Sequence, residues 1–236
     1  MGLFKKRNKV KKGFQDVSMD VSAFSATSSG IDFTLLDPRA TEKDIESLCN
    51  IAFKNKYYAV IVSPVFVRFA RNFIDTKLSS SIKVGTVVGF PLGGSTIKSK
   101  IAEAKEAIKN GAEELDVCIC VNQVKQGDYA YIKYEMSRIV RLSRKVVVKA
   151  IIETAYLTPE EIEKVVHALV RARVDYIMTS TGYAPLGADL EVVEKIINLL
   201  SRSKVMVKAS GGIKTKAQVD NYFRLGVSRI GTSRII

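Results

Sequence analysis

The 236-residue chain is poor in the residues that build metal centres and disulfide frameworks, with one histidine, three cysteines and no tryptophan. The lone His167 excludes a histidine-rich metal site, and its place within an amphipathic stretch is typical of a packing residue. Cys49, Cys118 and Cys120 are an odd set, which favours reduced thiols in a cytoplasmic protein. We therefore expect no metal and no other cofactor.

Long apolar runs are also lacking. No stretch reaches the roughly 18 uninterrupted apolar residues that a membrane helix needs. The basic start of the chain leads into Gly13-Phe-Gln-Asp16 rather than into an apolar segment, so no secretory signal is expected. These absences predict a cytoplasmic protein that does not bind a membrane.

Acidic residues are scarce at the N-terminus. The net charge is +13, and residues 1–12 carry six cations and no acid. Such a tail can contact nucleic acid through phosphates, but solvated basic runs are more common, and anionic small substrates suit the same charge. Residues 1–29 lack any hydrophobic period, so we expect a flexible N-terminal extension at 1–29 and a folded domain at 30–236.

Within that domain, short β-branched runs recur at intervals of the length of one strand-plus-helix unit. The eight predicted strands are Ile31–Leu36, Tyr58–Ser63, Val84–Phe90, Glu114–Val121, Val146–Glu153, Tyr176–Thr181, Val205–Ala209 and Arg229–Thr232. Helix signals lie between them, such as the Thr158-Pro159 start and the Gly226 stop. The pattern predicts a (β/α)8 TIM barrel with the last helix truncated, and an open doubly wound α/β sheet is the weaker alternative.

Glycines and hydroxyl residues follow the last three predicted strands directly. In this fold chemistry sits at the carboxyl ends of strands, and phosphate sites recur after strands seven and eight. Ordinary tight turns would explain each loop separately, but three such loops side by side favour an anion site. The predicted phosphate-binding residues are Thr181, Gly182, Gly211, Gly212, Thr232 and Ser233.

Three charged residues interrupt apolar strands, namely Asp116, Lys149 and Lys208. Because a buried charge is costly unless it is paired, we expect them to meet inside the barrel, either as a structural ion network or as catalytic groups. Period-two alternation places Lys149 with Glu153, and Asp116 with Cys118 and Cys120, on one face each.

The order of the motifs resembles that of the deoxyribose-phosphate aldolases from about Ile31 to Ser233. The segments that carry the resemblance include Val88-Gly-Phe-Pro-Leu-Gly93, Lys149-Ala-Ile-Ile-Glu-Thr154, Thr179-Ser-Thr-Gly182, Lys208-Ala-Ser-Gly-Gly-Ile213 and Arg229-Ile-Gly-Thr-Ser233. The resemblance implies a metal-free class I aldolase barrel that cleaves 2-deoxyribose 5-phosphate to glyceraldehyde 3-phosphate and acetaldehyde. It also implies homo-oligomers, with Lys208 as the second lysine and Asp116 as the proton-relay acid.

The Schiff-base lysine of the family does not carry over, because Met178 stands at its position. A thioether cannot condense with an aldehyde, although methionine matches lysine closely enough in shape to keep the barrel packed. The family's Asp-His-Thr, Val-Asn-Pro and Asp-x-Val-x-Asn motifs also differ here, at Phe33, Ser63 and Cys120. Several differences together favour natural divergence over a single engineered change.

Three hypotheses therefore remain open. The first is an aldolase of altered mechanism in which Lys208 or Lys149 forms the Schiff base. The second is a catalytically silent barrel that binds a phosphorylated sugar or another small anion. The third, less favoured, is a nucleic-acid-associated protein that works through its basic tail.

Overall fold

The computed structural model describes residues 30–143 and 145–236, which form a closed barrel of eight parallel strands with consecutive strands paired and β8 returning to β1. The strands are β1 (Ile31–Leu35), β2 (Ala59–Val62), β3 (Lys83–Val88), β4 (Glu114–Cys118), β5 (Val147–Ile151), β6 (Tyr176–Met178), β7 (Met206–Ser210) and β8 (Arg229–Thr232). The predicted (β/α)8 barrel is confirmed. The predicted extension at 1–29 lies outside the described residues.

Helices join the strands on the outside of the barrel. They are α1 (Glu42–Lys54), α2 (Val67–Phe73), α3 (Ile97–Lys109), α4 (Val121–Lys125), α5 (Tyr129–Leu142), α6 (Pro159–Ala172), α7 (Leu190–Leu199) and α8 (Lys216–Leu225), with short 3-10 or π turns at Pro64–Phe66, Ile74–Leu78 and Thr154–Tyr156. No helix follows β8 within the described residues, as predicted. None of the described helices is long and apolar enough to cross a membrane.

The predicted helix boundaries are set by local chemistry. At the start of α6, the Thr158 hydroxyl accepts a hydrogen bond from the Glu161 N–H at 3.2 Å, and the Glu161 carboxylate accepts one from the Thr158 N–H at 2.8 Å. This reciprocal cap satisfies two donors that the first helical turn leaves free. Helix α8 ends at Gly226, whose φ of 99° lies in the left-handed region that glycine adopts without strain.

Several strands end earlier than the sequence pattern predicts. β5 ends at Ile151 instead of Glu153, and β6 ends at Met178 instead of Thr181. The β-branched and apolar pattern continues beyond both ends, but Glu153 adopts a left-handed conformation (φ 52°) that a strand cannot contain. The side chains beyond each strand therefore belong to the rim of the barrel.

The apolar core has one large cluster between the sheet and the helices and smaller clusters inside the barrel. One inner cluster contains Cys118, Ile151 and Met178, with Phe90 packed against it. The predicted common face of Cys118 and Cys120 is wrong: β4 ends at Cys118, and Cys120 packs into the outer cluster at the start of α4. Alternation holds only as far as the extended backbone does.

Candidate active site at the carboxyl end of the barrel

The three charged residues that the sequence singled out meet inside the barrel. The Lys149 amine lies 2.8 Å from Oδ1 of Asp116, and the Lys208 amine lies 2.6 Å from Oδ2 of the same carboxylate. All three side chains are essentially fully buried. A carboxylate held between two ammonium groups keeps its charge, so these cations keep the pKa of Asp116 below its ordinary value even though burial acts in the opposite direction.

Three further charged residues, which the sequence pattern did not reveal, complete this cluster. Asp32 lies 2.7 Å from the Lys208 amine, Glu114 lies 2.5 Å from the Lys149 amine, and Arg229 bonds both Asp32 and Glu114. The guanidinium of Arg229 also stacks over the ring of Tyr58, 3.6 Å from its centroid. Period two could have identified Glu114, since it lies two residues before Asp116 on the same strand. Pairing of Arg229 with Asp32 depends on closure of β8 onto β1.

We call these six residues the charge cluster: Asp32, Glu114, Asp116, Lys149, Lys208 and Arg229. Its three acids and three cations balance. Burial alone would lower the pKa of Lys149, but Asp116, Asp32 and Glu114 outweigh burial and raise it well above the ordinary value. The Lys149 amine is therefore protonated and carries no free electron pair for attack on a carbonyl.

Met178 lies at the end of β6, next to the charge cluster. It pairs in register with Lys208 on β7 and with Ile151 on β5, and its side chain is 7% exposed. The exposed part lines a cavity of about 730 Å³ at the carboxyl end of the barrel, which Asp116 also lines. Neither lysine of the charge cluster lines this cavity. A ligand in the cavity would therefore contact β6 at the thioether of Met178.

The predicted phosphate residues surround the same cavity. Its lining includes Thr181, Gly182, Gly211, Gly212, Thr232 and Ser233, which come from the ends of β6, β7 and β8. We call these six residues the rim. The structure thus places every predicted phosphate residue at one mouth, next to Met178.

Two of the three hydroxyl groups of the rim are already engaged in hydrogen bonds within the protein. The Thr181 hydroxyl donates to Glu153, and the Thr232 hydroxyl donates to the carbonyl oxygen of Ile213 at 2.9 Å. By contrast, no described residue accepts a hydrogen bond from the N–H groups of Gly211 and Gly212. Both glycines have positive φ (91° and 76°), a conformation in which successive N–H groups can converge on an anion.

Gly187 is a rim-supporting residue that the sequence pattern did not reveal. A Cβ at this position would lie 2.2 Å from the carbonyl oxygen of Gly211, so only glycine allows the loop after β6 to approach the loop after β7. The N–H of Ala188 then donates to that same carbonyl oxygen at 3.0 Å. The sequence carries no signal for this contact, because Pro-Leu-Gly at 185–187 reads as an ordinary turn.

No metal site stands out near the rim. Across residues 30–143 and 145–236, no group of three or more His, Cys, Asp or Glu side chains is placed to hold a metal ion. The described cysteines are buried and unlinked. Burial raises the pKa of the Cys49 thiol to about 12, which keeps that thiol protonated.

A closed (β/α)8 barrel with buried lysine–carboxylate pairs beneath a glycine-rich rim is an architecture that aldolases use. The comparisons agree, because the family model of the DeoC/LacD family aldolases matches residues 15–231. The chain belongs to this family. It is similar to the deoxyribose-phosphate aldolase of Thermoanaerobacter sp. (strain X514), with 41% identity over 86% of this chain and 91% of that protein.

Other similar proteins and solved structures are also described as aldolases. The deoxyribose-phosphate aldolase of Malacoplasma penetrans (strain HF-2) is 39% identical over 86% of this chain and 90% of its own length. Among solved structures, "QR15, an Aldolase" superposes with a TM-score of 0.82 at 37% identity, covering 88% of this chain and 91% of that chain. The deoxyribose phosphate aldolase from Aeropyrum pernix, described as a unique tetrameric structure, has a TM-score of 0.81 at 32% identity, covering 88% and 86%.

Proposed function

We propose that this protein binds a phosphorylated sugar at its rim and forms no Schiff base at the end of β6. Met178 carries the proposal: its thioether occupies the cavity wall next to Asp116 and Lys208. A thioether sulfur has no proton to lose and no nitrogen to form an imine, so the covalent step of the family's reaction cannot start there.

The ion pairs of the two neighbouring lysines also support a barrel that forms no Schiff base. Lys208 lies 2.6 Å from Asp116 and 2.7 Å from Asp32, and Lys149 contacts Asp116 and Glu114. An amine attacks a carbonyl only in its neutral form, and the carboxylates around Lys149 raise the pKa of its amine and hold it in the charged form. Attack by either amine would also remove one cation from a cluster in which three buried acids and three cations balance.

One observation favours the alternative, an aldolase of altered mechanism. Lys208 is the register partner of Met178, and its ion-pair partner Asp116 lines the cavity. Rotation of the Lys208 side chain toward β6 would bring an amine near the position that a substrate carbonyl occupies. Because this amine must leave two carboxylate partners, Asp32 and Asp116, we expect such chemistry to be slow.

Borohydride trapping separates these two functions. The native protein is incubated with 2-deoxyribose 5-phosphate, reduced, and examined by mass spectrometry. We expect no adduct. An adduct on Lys208 or Lys149 would refute the silent barrel and support displaced catalysis.

Phosphate binding needs its own measurement, which is independent of covalent chemistry. Ribitol 5-phosphate has no carbonyl group, so calorimetry with it reports the rim alone. Gly212 faces open space, with no atom within 4 Å of the point where a Cβ would lie, and both Asn and Asp tolerate its positive φ. Gly212→Asp should therefore abolish binding by charge repulsion, and the uncharged Gly212→Asn should retain more of it. Equal binding by the two variants would place the phosphate elsewhere.

We further propose a homo-oligomer, since the Aeropyrum pernix relative is described as tetrameric. Light scattering of the purified full-length chain tests this directly.

We also propose that residues 1–29 are an extension that the barrel at 30–236 does not need for phosphate binding. A chain starting at Gly30 should bind ribitol 5-phosphate as the full chain does. Loss of salt-sensitive RNA retention in that shorter chain would instead support the nucleic-acid hypothesis.

A further inference from the structure

Glu153 is a buried carboxylate whose second oxygen has no hydrogen-bond partner among the described residues. It follows β5 in a left-handed conformation (φ 52°, ψ 68°) that is uncommon for residues other than glycine, and it is 6% exposed. Its Oε2 accepts hydrogen bonds from both the N–H and the hydroxyl of Thr181. Its Oε1 is buried and receives no hydrogen bond from any described residue. The strained backbone and the unpaired oxygen suggest a role other than packing.

No cation compensates this carboxylate within the described part of the chain. Glu153 lines a cavity of about 360 Å³ whose other titratable residues are Cys118, Lys125, Tyr156 and Tyr183. The Lys125 amine lies 2.6 Å from Glu161 and is thereby engaged elsewhere, while burial raises the pKa of the Cys118 thiol and keeps it neutral. Burial also raises the pKa of Glu153, and the two hydrogen bonds from Thr181 offset this only in part.

Glu153 is joined directly to the rim through Thr181. Thr181 lines both this cavity and the larger one, and Gly182 of the rim follows it in the chain. An anion at the rim therefore lies next to Thr181, whose two hydrogen-bond donors, the N–H and the hydroxyl, already donate to the carboxylate of Glu153. A phosphate group and an ionised Glu153 would repel each other across one residue, and they would compete for the same donors.

We propose that Glu153 is the proton-accepting partner of the rim, so that binding of a phosphate group is accompanied by protonation of Glu153. This inference rests on the phosphate rim of the proposed function. Neutral Glu153 removes the repulsion and releases a Thr181 donor to the ligand. In this role Glu153 is a positioning residue, because it acts on the ligand through Thr181.

Linkage fixes the direction of the pH dependence. A bound anion favours the neutral carboxyl, so the pKa of Glu153 is higher in the complex than in the free protein. Anion affinity is then greatest at pH values below the pKa of the free protein. It falls as the pH rises from the pKa of the free protein to that of the complex and is lowest above both.

Sulfate is a suitable probe, because its own charge stays constant over the working range of about pH 5 to 9. Calorimetry in two buffers of different ionisation enthalpy gives the number of protons taken up on binding. We expect the native protein to take up a measurable fraction of a proton and to lose about tenfold in sulfate affinity across the transition, equivalent to a shift of about one pKa unit. Binding without proton uptake by the native protein would overturn the inference, whatever any variant does.

Glu153→Gln is the matched variant. Its carbonyl oxygen keeps the place of Oε2 and can accept from Thr181, but the side chain carries no charge at any pH. We expect sulfate affinity that is independent of pH, and about tenfold above the native value at high pH. An unchanged pH profile in this variant would also refute the role of Glu153. Failure of the native protein and the Gln variant alike to bind sulfate or ribitol 5-phosphate would count against the rim itself, and hence against the proposed function.

Discussion

Met178→Lys tests whether the interior of the barrel is the closed, charge-balanced environment that the structure describes. The substitution places an amine at a position that is 7% exposed and in register with Lys208. The charge cluster already pairs three acids with three cations. The new ammonium group would therefore be a fourth cation without an acid of its own.

Burial and the neighbouring cations should together lower the pKa of the new amine by about 3 units. One unit corresponds to about 1.4 kcal/mol, so the variant should lose about 4 kcal/mol of unfolding free energy at pH values below the folded-state pKa. The loss should shrink as the pH rises through the folded-state pKa, near 7.5, and should disappear above the unfolded-state pKa, near 10.4.

Urea denaturation at about pH 6.5 and pH 9.5 measures this difference, with Met178→Gln as an uncharged control of similar length. We expect the Lys variant to gain relative to the Gln variant at the higher pH by at least about 2 kcal/mol. The same lowered pKa should let borohydride trap acetaldehyde on residue 178. A constant difference between the two variants at both pH values would show that the new amine stays charged, and would refute the balanced, closed interior.

Three further outcomes follow from the described contacts. Lys100→Met leaves the buried carboxylate of Glu135, 2.7 Å from the Lys100 amine, without its cation. The variant should lose about 3 to 5 kcal/mol of unfolding free energy in urea denaturation, and the double variant with Glu135→Leu should recover most of that loss. Gly187→Ala should weaken ribitol 5-phosphate binding at least about tenfold in calorimetry through its 2.2 Å clash, whereas Gly94→Ala, with no atom closer than 4.0 Å, should not. Burial would raise the pKa of Asp32, but the neighbouring cations outweigh burial and lower that pKa strongly. The ionised carboxylate therefore stabilises the folded protein at pH values above its unfolded pKa of about 3.9, and this stabilisation is lost on further acidification. The unfolding midpoint in urea should fall steeply below about pH 4, and less so in Asp32→Asn.

The fold could be predicted from the sequence because its signals are local. Each β-branched run, each N-cap such as Thr158 and each terminal glycine such as Gly226 acts within one turn or one strand. The strand ends could not be placed, because the β-branched and apolar pattern continues past Ile151 and Met178 while the backbone has already turned.

The rim could also be predicted, because three glycine- and hydroxyl-bearing loops each follow a strand. Their donors could not be assigned, since the Thr181 and Thr232 hydroxyls are used by Glu153 and Ile213. Only the folded chain decides which polar groups form hydrogen bonds with one another and which remain for a ligand.

The sequence by itself determined the barrel and its family, and it places a methionine, Met178, where β6 ends, because residue identity and order are sufficient for each. The tertiary structure decided the charge cluster, in which Arg229 meets Asp32 across 197 positions of the chain, and the attachment of Glu153 to the rim. The first depends on barrel closure, which brings β8 beside β1, and the second on the turn of the backbone after β5, which brings Glu153 to the loop after β6. Burial then turns ordinary carboxylates and amines into groups whose charge depends on their partners.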